Sequence, residues 1–258
     1  MSRCLDLCSD QPLLGSATIS QHLVIVDRLR PWTAKTQDCL TLPPEWQARL
    51  DDWRAQEIPF TLLARHSDQG AIHSFEWRQG RVTDREGAPV SEKFLVCTHG
   101  SRDVCCGTLG PRLAQALRAA GHQEVWEVSH IGGHRFAPTL WHLPSWRVYG
   151  RLSLESPQCL PRFLRGHAAY QPPLQVMEAR LFQERGLWPL WLEPGEGGCL
   201  VHWPDGTCES WHFSLARHEH HGPMSCRDIP EGKYEPYTSL EVVAAEMSNF
   251  QPAEGVQG

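Results

Sequence analysis

The sequence lacks a long apolar run of the kind that crosses a membrane. Near its start the longest such run is Leu23–Val26, whereas a transmembrane helix needs about 18 or more consecutive apolar residues. The first ten residues, MSRCLDLCSD, also lack the apolar core of a secretory signal. We therefore expect a cytoplasmic protein without a membrane partner, in a compartment where structural disulfides are rare.

Positive charge is scarce as well. The chain has 24 Lys and Arg residues against 30 Asp and Glu residues, which gives a net charge of -6. A chain of this sign is not expected to bind nucleic acid, because affinity for phosphates depends on basic residues. The sequence also shows no glycine-rich nucleotide-binding motif and no catalytic triad signature. It therefore does not identify the substrate of an enzyme.

Cysteine is abundant, yet the chain has no C-x-x-C motif. Ten cysteines occur among 258 residues. In a reducing compartment they are buried small side chains, reactive thiols or metal ligands. The absence of C-x-x-C argues against a dithiol oxidoreductase. Three of the ten lie in one segment, FLVCTHGSRDVCCGTLG at 94–110, which makes that segment the first candidate for a metal site.

The pattern of apolar residues divides the chain into three regions. Residues 1–90 contain a strand, a helix and two further strands, and residues 91–170 repeat that order with a final hairpin. Residues 171–258 contain a helix, a hairpin and an acidic tail, in which SLEVVAAEMSNF is expected to form a last helix. The predicted fold class is α/β with a mixed sheet (α+β). A thioredoxin-like domain at 91–170 follows a divergent α/β region with the same order of elements.

The second region places metal-ligating residues at one edge of the predicted sheet. Cys97 ends the strand KFLVCTH, and Cys106 comes just before a helix that is expected to start at Pro111. His130 ends the next strand, VWEVSH, and His134 follows four residues later. A right-handed crossover makes these two strands parallel neighbours. The four side chains then converge near the amino terminus of the helix, where thiolates are favoured.

Gly132 and Gly133 separate the two histidines. Paired glycines weaken a helix and suit a loop whose backbone comes close to a bulky group. A cluster with bridging sulfides benefits from such an approach more than a single zinc ion does. Zinc bound by two cysteines and two histidines remains the chemical alternative, since H-x3-H is a common zinc spacing.

The segments 97–106 and 130–134 together resemble the C-x8-C…H-x-G-G-H signature of the sucrase/ferredoxin-like family of thioredoxin-like ferredoxins. The flanking residues THGSRD and SHIGGHRFAP match the family as well. The resemblance is strongest over residues 91–152 and extends more weakly to LLGSA near the start and SCRDIPEGKY near the end.

This resemblance implies a [2Fe–2S] cluster as cofactor, bound in a thioredoxin-like ferredoxin domain at 91–170. Cys97 and Cys106 would hold one iron, since the x8 spacing selects Cys106 over its neighbour Cys105. His130 and His134 would hold the other iron, and the glycine pair between them would lie against the cluster.

The implied ligand set predicts a redox function. Neutral imidazoles make such a site less negative than four thiolates would, so it accepts an electron more readily. Electron uptake would be linked to protons on the outer ring nitrogens. We expect a one-electron, proton-coupled redox protein, favoured over a substrate-converting enzyme, with unknown redox donor and acceptor proteins or small molecules as partners. The alternative is a zinc-stabilised Cys2His2 binding module without redox activity.

Other residues of the same chemical types have weaker claims. Cys199 and Cys208 share the x8 spacing but flank a hairpin turn, so a packing role is expected. Cys4 and Cys8 near the amino terminus are a weak candidate for a second metal site, and RHEHH at 217–221 is expected to be a solvated loop. Three residues near the predicted ligands are candidates to hydrogen-bond the cluster or offset its charge: His99, Arg102 and Arg135.

Overall fold

The first region of the chain forms a strand–helix–strand unit with an added hairpin. The computed structural model describes residues 3–9, 11–155, 160–223, 225–226 and 228–248. Its first helices and strands, in chain order, are α1 (Cys4–Leu7), β1 (His22–Asp27), α2 (Pro44–Ala55), β2 (Phe60–Arg65), β3 (Ile72–Arg78) and β4 (Arg81–Asp84). The strand, the helix and the two further strands predicted for this region are β1, α2, β2 and β3.

The second region repeats that unit. Its helices and strands are β5 (Lys93–Cys97), α3 (Val104–Ala119), β6 (Val125–Val128), β7 (Leu140–Leu143), β8 (Arg147–Tyr149) and β9 (Leu164–His167). β5 and β6 are parallel, as predicted, with Cys97 opposite Val128. β7 pairs antiparallel with both β5 and β8, so β7 and β8 are the predicted hairpin.

In the described part of the chain, nine strands form one sheet in the order β4-β3-β1-β2-β6-β5-β7-β8-β9. The two units share a local order, in which the first strand of each lies between the second and the third. They meet where β2 pairs antiparallel with β6. The sheet is mixed, because β1 and β2 are parallel whereas β1 and β3 are antiparallel. This confirms the predicted α/β class. Residue 90, the predicted end of the first region, lies between β4 and β5, and the division into domains stays a prediction.

The third region builds a second sheet, which is antiparallel. It comprises α4 (Pro172–Arg185) and the strands β10 (Trp191–Gly195), β11 (Gly198–His202), β12 (Cys208–Gly222) and β13 (Glu235–Ser248), which pair in that order. The predicted hairpin consists of β11 and β12, with Asp205 and Gly206 between them. Every helix among the described residues is too short or too polar to cross a membrane.

The last helix predicted from SLEVVAAEMSNF is wrong. Residues up to Ser248 belong to β13, which pairs antiparallel with β12 along its length; residues 249 and 250 lie outside the described residues. The alanines and glutamates of this segment favour a helix, but Val242 and Val243 favour a strand. The long partner strand β12 satisfies the backbone groups of β13, and this tertiary pairing overrides helix propensity.

Helix α3 begins at Val104 and not at Pro111 as predicted. The carboxylate of Asp103 caps its amino terminus by accepting a hydrogen bond from the backbone N–H of Cys105 at 2.8 Å. Pro111 lies inside the helix, where it has no N–H to donate to the carbonyl four residues earlier. The acidic cap therefore decides the start of the helix, and Cys106 lies in the first turn instead of before it.

Two glycines let α3 approach the end of β5 very closely. A Cβ added to Gly110 would overlap the backbone carbonyl of Cys97, and one added to Gly107 would overlap the backbone of Gly100. This contact fixes the first turn of α3 against the strand end. Buried side chains beside it form one hydrophobic cluster that includes Phe94, Val96, Leu113, Ala114 and Leu117.

We expect Gly110→Ala to lower the free energy of unfolding by about 3 kcal/mol, because the backbone atoms at this contact cannot move aside. Helix propensity alone predicts the opposite, since alanine favours a helix over glycine by about 1 kcal/mol. Thr108→Ala changes an exposed position of the same helix and should not be destabilising. Urea unfolding of both variants measures the difference. A Gly110→Ala protein as stable as the unmodified chain would contradict the importance of this contact.

Candidate metal centre

Two buried thiols lie where β5 ends and α3 begins. Cys97 is the last residue of β5, and Cys106 is in the first turn of α3. Both are fully buried, at 0% exposure, and their side chains are hydrogen-bonded to each other. The eight residues between them form the loop from the strand to the helix and the first residues of that helix.

The two histidines come from the loop that follows β6. Nδ1 of His130 lies 3.8 Å from Sγ of Cys97, and Nε2 of His130 lies 3.2 Å from Nδ1 of His134. Potential ligand atoms of Cys97, Cys106 and His130 all lie within 4.8 Å of one another. His134 is outside that group and adjoins it through His130. The structure thus brings the four predicted residues together as neighbours in an elongated set.

The donor set is compatible with a metal. Three donors can meet at a single metal, whereas the ring of His134 lies one step further along. Thiols at one end and imidazoles at the other are the donors of an iron–sulfur centre with mixed ligation. The same donor types also bind zinc. What the structure establishes is a Cys/His group that could hold a metal.

Gly132 and Gly133 make close contacts with other parts of the protein. Both have positive φ, at 87° and 68°, a conformation that favours glycine. A Cβ on Gly132 would lie 2.6 Å from Oγ1 of Thr18, and a Cβ on Gly133 would overlap the guanidinium of Arg165. The close approach that the structure shows at the glycine pair is therefore to Thr18 and Arg165. Contact of these glycines with a cofactor stays a prediction.

The two thiols differ in acidity. Burial raises the pKa of Cys97, but hydrogen bonds with Cys106 and His130 outweigh burial and hold that pKa well below its ordinary value. The hydrogen bond with Cys97, together with burial, raises the pKa of Cys106 well above its ordinary value. The metal-free pair therefore favours one thiolate and one thiol, and a thiolate is the form that binds a metal.

A buried arginine that the sequence analysis missed lies near the thiol pair. Arg165, in β9, is 2% exposed, and its guanidinium donates hydrogen bonds to the carbonyl oxygen of Gly132 at 3.0 Å and to Ser16. Burial lowers the pKa of Arg165 to about 9, whereas the charges of Cys106 and Cys97 act in the opposite direction. A cation held here can offset the charge of thiolates. No spacing in the sequence connects it to the motif.

His99 holds the histidine loop in place. It is 1% exposed; its Nδ1 accepts a hydrogen bond from the backbone N–H of His130 at 3.1 Å. Its Nε2 lies 2.7 Å from the carbonyl oxygen of Thr33, so Nε2 carries the proton and donates it. Of the other two predicted neighbours, Arg102 is exposed, and Arg135 packs its guanidinium over aromatic rings.

The alternative x8 pair lies in the other sheet. Cys199 is buried in β11 and Cys208 is exposed in β12. Sγ of Cys208 lies 3.6 Å from Nδ1 of His202, which is a contact within that hairpin. The segment RHEHH at 217–221 is part of β12 and not the expected loop, because it pairs with β13.

A family model matches most of the sheet that carries the Cys/His group. The model of the sucrase/ferredoxin-like family covers residues 13–163, which is more than half of the chain. This chain belongs to the sucrase/ferredoxin-like family. The match spans β1 to β8 and includes all four residues of the predicted ligand set.

Curated relatives of this sucrase/ferredoxin-like chain are yeast proteins named Altered inheritance of mitochondria protein 32. The protein of Meyerozyma guilliermondii is 32% identical over 129 residues, which cover 45% of this chain and 40% of the relative. That of Debaryomyces hansenii is 34% identical over 86 residues (30% and 32%), and that of Kluyveromyces lactis is 33% identical over 90 residues (33% and 28%). The chain thus aligns with less than half the length of these relatives. No solved structure matches it significantly.

These names correct the predicted function. The ligand motif of this sucrase/ferredoxin-like chain predicts a one-electron, proton-coupled redox protein, with a zinc-stabilised module as the alternative. The curated relatives are named for the inheritance of mitochondria and not for an iron–sulfur redox activity, so that prediction is wrong. The physical reason is general: a ligand motif indicates which residues can bind a metal, but it does not specify the task of the protein around it.

We expect Arg165→Met to raise the pH at which the thiol pair first ionises in the metal-free protein. A nearby cation favours the thiolate, so its removal raises the pKa of the pair. Arg165→Lys keeps the positive charge and should shift that pH less. Thiolate absorbance during a pH titration measures the ionisation, and circular dichroism checks that each variant is folded. Identical titration curves for folded wild-type and Arg165→Met proteins would show that the arginine has only a packing role.

Proposed function

We propose that this chain is a metalloprotein that serves the inheritance of mitochondria, and that its metal is held by the thiol pair and the two histidines. The observation that carries the metal site is the donor group itself. Two fully buried thiols and an imidazole have ligand atoms within 4.8 Å of one another. Cysteines with a packing role alone need no histidine beside them. The cellular role is drawn from the name of the yeast relatives.

The cofactor proposed for this site is a [2Fe–2S] cluster. Cys97 and Cys106 would hold one iron, and His130 and His134 the other. The ferredoxin part of the family name supports a cluster, as does the elongated shape of the donor set. When bound, a cluster would tie β5, α3 and the histidine loop together through metal–ligand bonds. Arg165 would supply buried positive charge close to the sulfur ligands.

The proposed compartment is one that keeps thiols reduced, because a thiolate-bound metal requires unoxidised cysteines. The sequence predicts the cytoplasm, whereas the name of the yeast relatives refers to mitochondria. Cell fractionation with antibodies to the chain tells these locations apart. Redox donor and acceptor partners, and the lack of a nucleic-acid partner, stay predictions.

We expect protein purified without oxygen to contain about two iron atoms and two sulfides per chain and to be reddish-brown. Cys97→Ser and Cys106→Ser should each lose this iron and colour, because serine replaces a thiolate ligand. Iron and sulfide assays with a visible spectrum measure the loss.

Cys199→Ser is the matched control for this experiment, since it removes a buried thiol from the other sheet, and Cys208→Ser removes an exposed one. Both should keep the iron and the spectrum. Iron that survives Cys97→Ser but is lost in Cys199→Ser would show that the wrong x8 pair is assigned. A colourless protein with zinc at the site would contradict the cluster while leaving the metal site in place.

The cellular role is testable in Kluyveromyces lactis, one of the yeasts with a named relative. We expect the chain to restore the inheritance of mitochondria in cells that lack their own relative, and Cys97→Ser to restore it less well. Fluorescence microscopy of mitochondria in daughter cells gives the readout, with Cys199→Ser as the control. Full rescue by Cys97→Ser, expressed at an equal level, would show that the role in the inheritance of mitochondria does not require the metal.

A further inference from the structure

Three thiols from distant parts of the chain meet beside the amino terminus of α3. Cys4 lies in α1, Cys105 in the first turn of α3, and Cys226 in a turn after β12. The Sγ–Sγ distances are 3.7 Å between Cys4 and Cys105, 3.2 Å between Cys105 and Cys226, and 3.3 Å between Cys226 and Cys4. With Asp103, all their potential ligand atoms lie within 4.8 Å of one another. We call these four residues the terminal thiol group.

Asp103 is oriented towards this group by the backbone. It is 2% exposed. Its Oδ1 accepts a hydrogen bond from the N–H of Cys105 at 2.8 Å, and its Oδ2 accepts one from the N–H of Cys226 at 2.9 Å. Each carboxylate oxygen has a further lone pair. The carboxylate is therefore fixed beside the three sulfurs and keeps the capacity to bind a cation.

The distances between the sulfurs suit a shared metal ion. Tetrahedral zinc with bonds of about 2.3 Å to sulfur separates two sulfurs by about 3.8 Å. The longest of the three distances, 3.7 Å, agrees with this value, and the two shorter ones would open by about half an ångström to reach that separation. A disulfide would join one pair at about 2.05 Å and leave the third thiol beside it. Three similar distances around one carboxylate favour an ion.

We propose that the terminal thiol group is a second metal site, which takes one thiophilic divalent cation of the zinc class. Three cysteines and an aspartate complete a tetrahedron without an open position, which is typical of a structural site. Binding would release the protons of the thiols. We call Cys97, Cys106, His130 and His134 the first centre. The proposed second site does not depend on what the first centre holds, because the two groups share no residue.

An ion in this site would join the amino-terminal segment and the turn after β12 beside the histidine loop. Sγ of Cys4 lies 4.0 Å from the carbonyl oxygen of His134, and the backbone N–H of Cys4 donates to Sγ of Cys226 at 3.4 Å. The sequence suggests Cys4 and Cys8 as a weak candidate for a second metal site, but the structure separates their roles. Cys4 belongs to the terminal thiol group, whereas Sγ of Cys8 donates a hydrogen bond to the carbonyl oxygen of Pro223. The ion would join α1, α3 and the turn at Cys226, which the sequence separates by more than 100 residues at each step.

Cobalt binding to the full-length chain tests the site. Cys97→Ser/Cys106→Ser protein, which lacks the thiols of the first centre, is titrated with Co²⁺ after reduction. We expect one equivalent to bind with the thiolate-to-cobalt absorption of a tetrahedral site, and Zn²⁺ to displace it. Adding Cys226→Ser should abolish that absorption, whereas adding Cys8→Ser, a buried thiol of the same terminal segment, should leave it unchanged.

Alkylation of the wild-type protein gives a second measurement that needs no variant. Zn²⁺ should slow the modification of Cys4, Cys105 and Cys226, as read by mass spectrometry, but not that of exposed Cys208. A folded double variant without the cobalt absorption, an unchanged absorption in the Cys226→Ser background, or equal alkylation with and without Zn²⁺ would overturn the proposal. Iron content, assayed on the same wild-type sample, reports on the first centre separately.

Discussion

The contact between α3 and β5 determines where Cys97 and Cys106 lie. Gly110 packs against the carbonyl of Cys97 so closely that a Cβ would overlap it, and Gly107 meets Gly100 in the same way. Because both glycines lie against backbone atoms, the first turn of α3 packs directly beside the strand end. The distance between Cys97 and Cys106 is thus set by backbone packing, which is close and stiff, and not by the thiols themselves.

Charge at the first centre is balanced from a different part of the fold. Arg165 enters from β9 and occupies the space that a side chain at Gly133 would need. Its burial is unfavourable for the cation, since burial lowers its pKa to about 9, and negative charge on the Cys97–Cys106 pair opposes that shift. The arginine and the thiolate of this pair therefore stabilise each other's charged forms inside a low-dielectric site. Gly133 therefore meets two requirements, because it adopts a positive φ and leaves room for the guanidinium of Arg165.

The convergence of Cys97 with His130 could be predicted from the sequence because it depends on local signals. Both residues follow apolar strands, and parallel neighbouring strands end at one edge of a sheet. Arg165 and Cys226 could not be predicted, because tertiary packing alone brings β9 and the turn at Cys226 to that edge. The predicted start of α3 is wrong for a related reason. Pro111 is a strong local signal, but the cap at Asp103 and the glycine contacts determine where the helix begins. The same is true of β13, where pairing with β12 outweighs the helix propensity of the segment.

The first turn of α3 contributes Cys106 to the first centre and Cys105 to the terminal thiol group. The contact between Gly110 and Cys97 keeps the two thiols in their separate groups. Cys105 and Cys106 are adjacent, and successive residues of a helix point about 100° apart, so each faces a different group. Exchange of Cys105 into the first centre would require α3 to turn by about that angle. Such a turn would drive the backbone of Gly110 away from Cys97 and would break the hydrogen bond that Asp103 accepts from Cys105. The same packing that places Cys106 beside Cys97 therefore prevents Cys105 from taking its place.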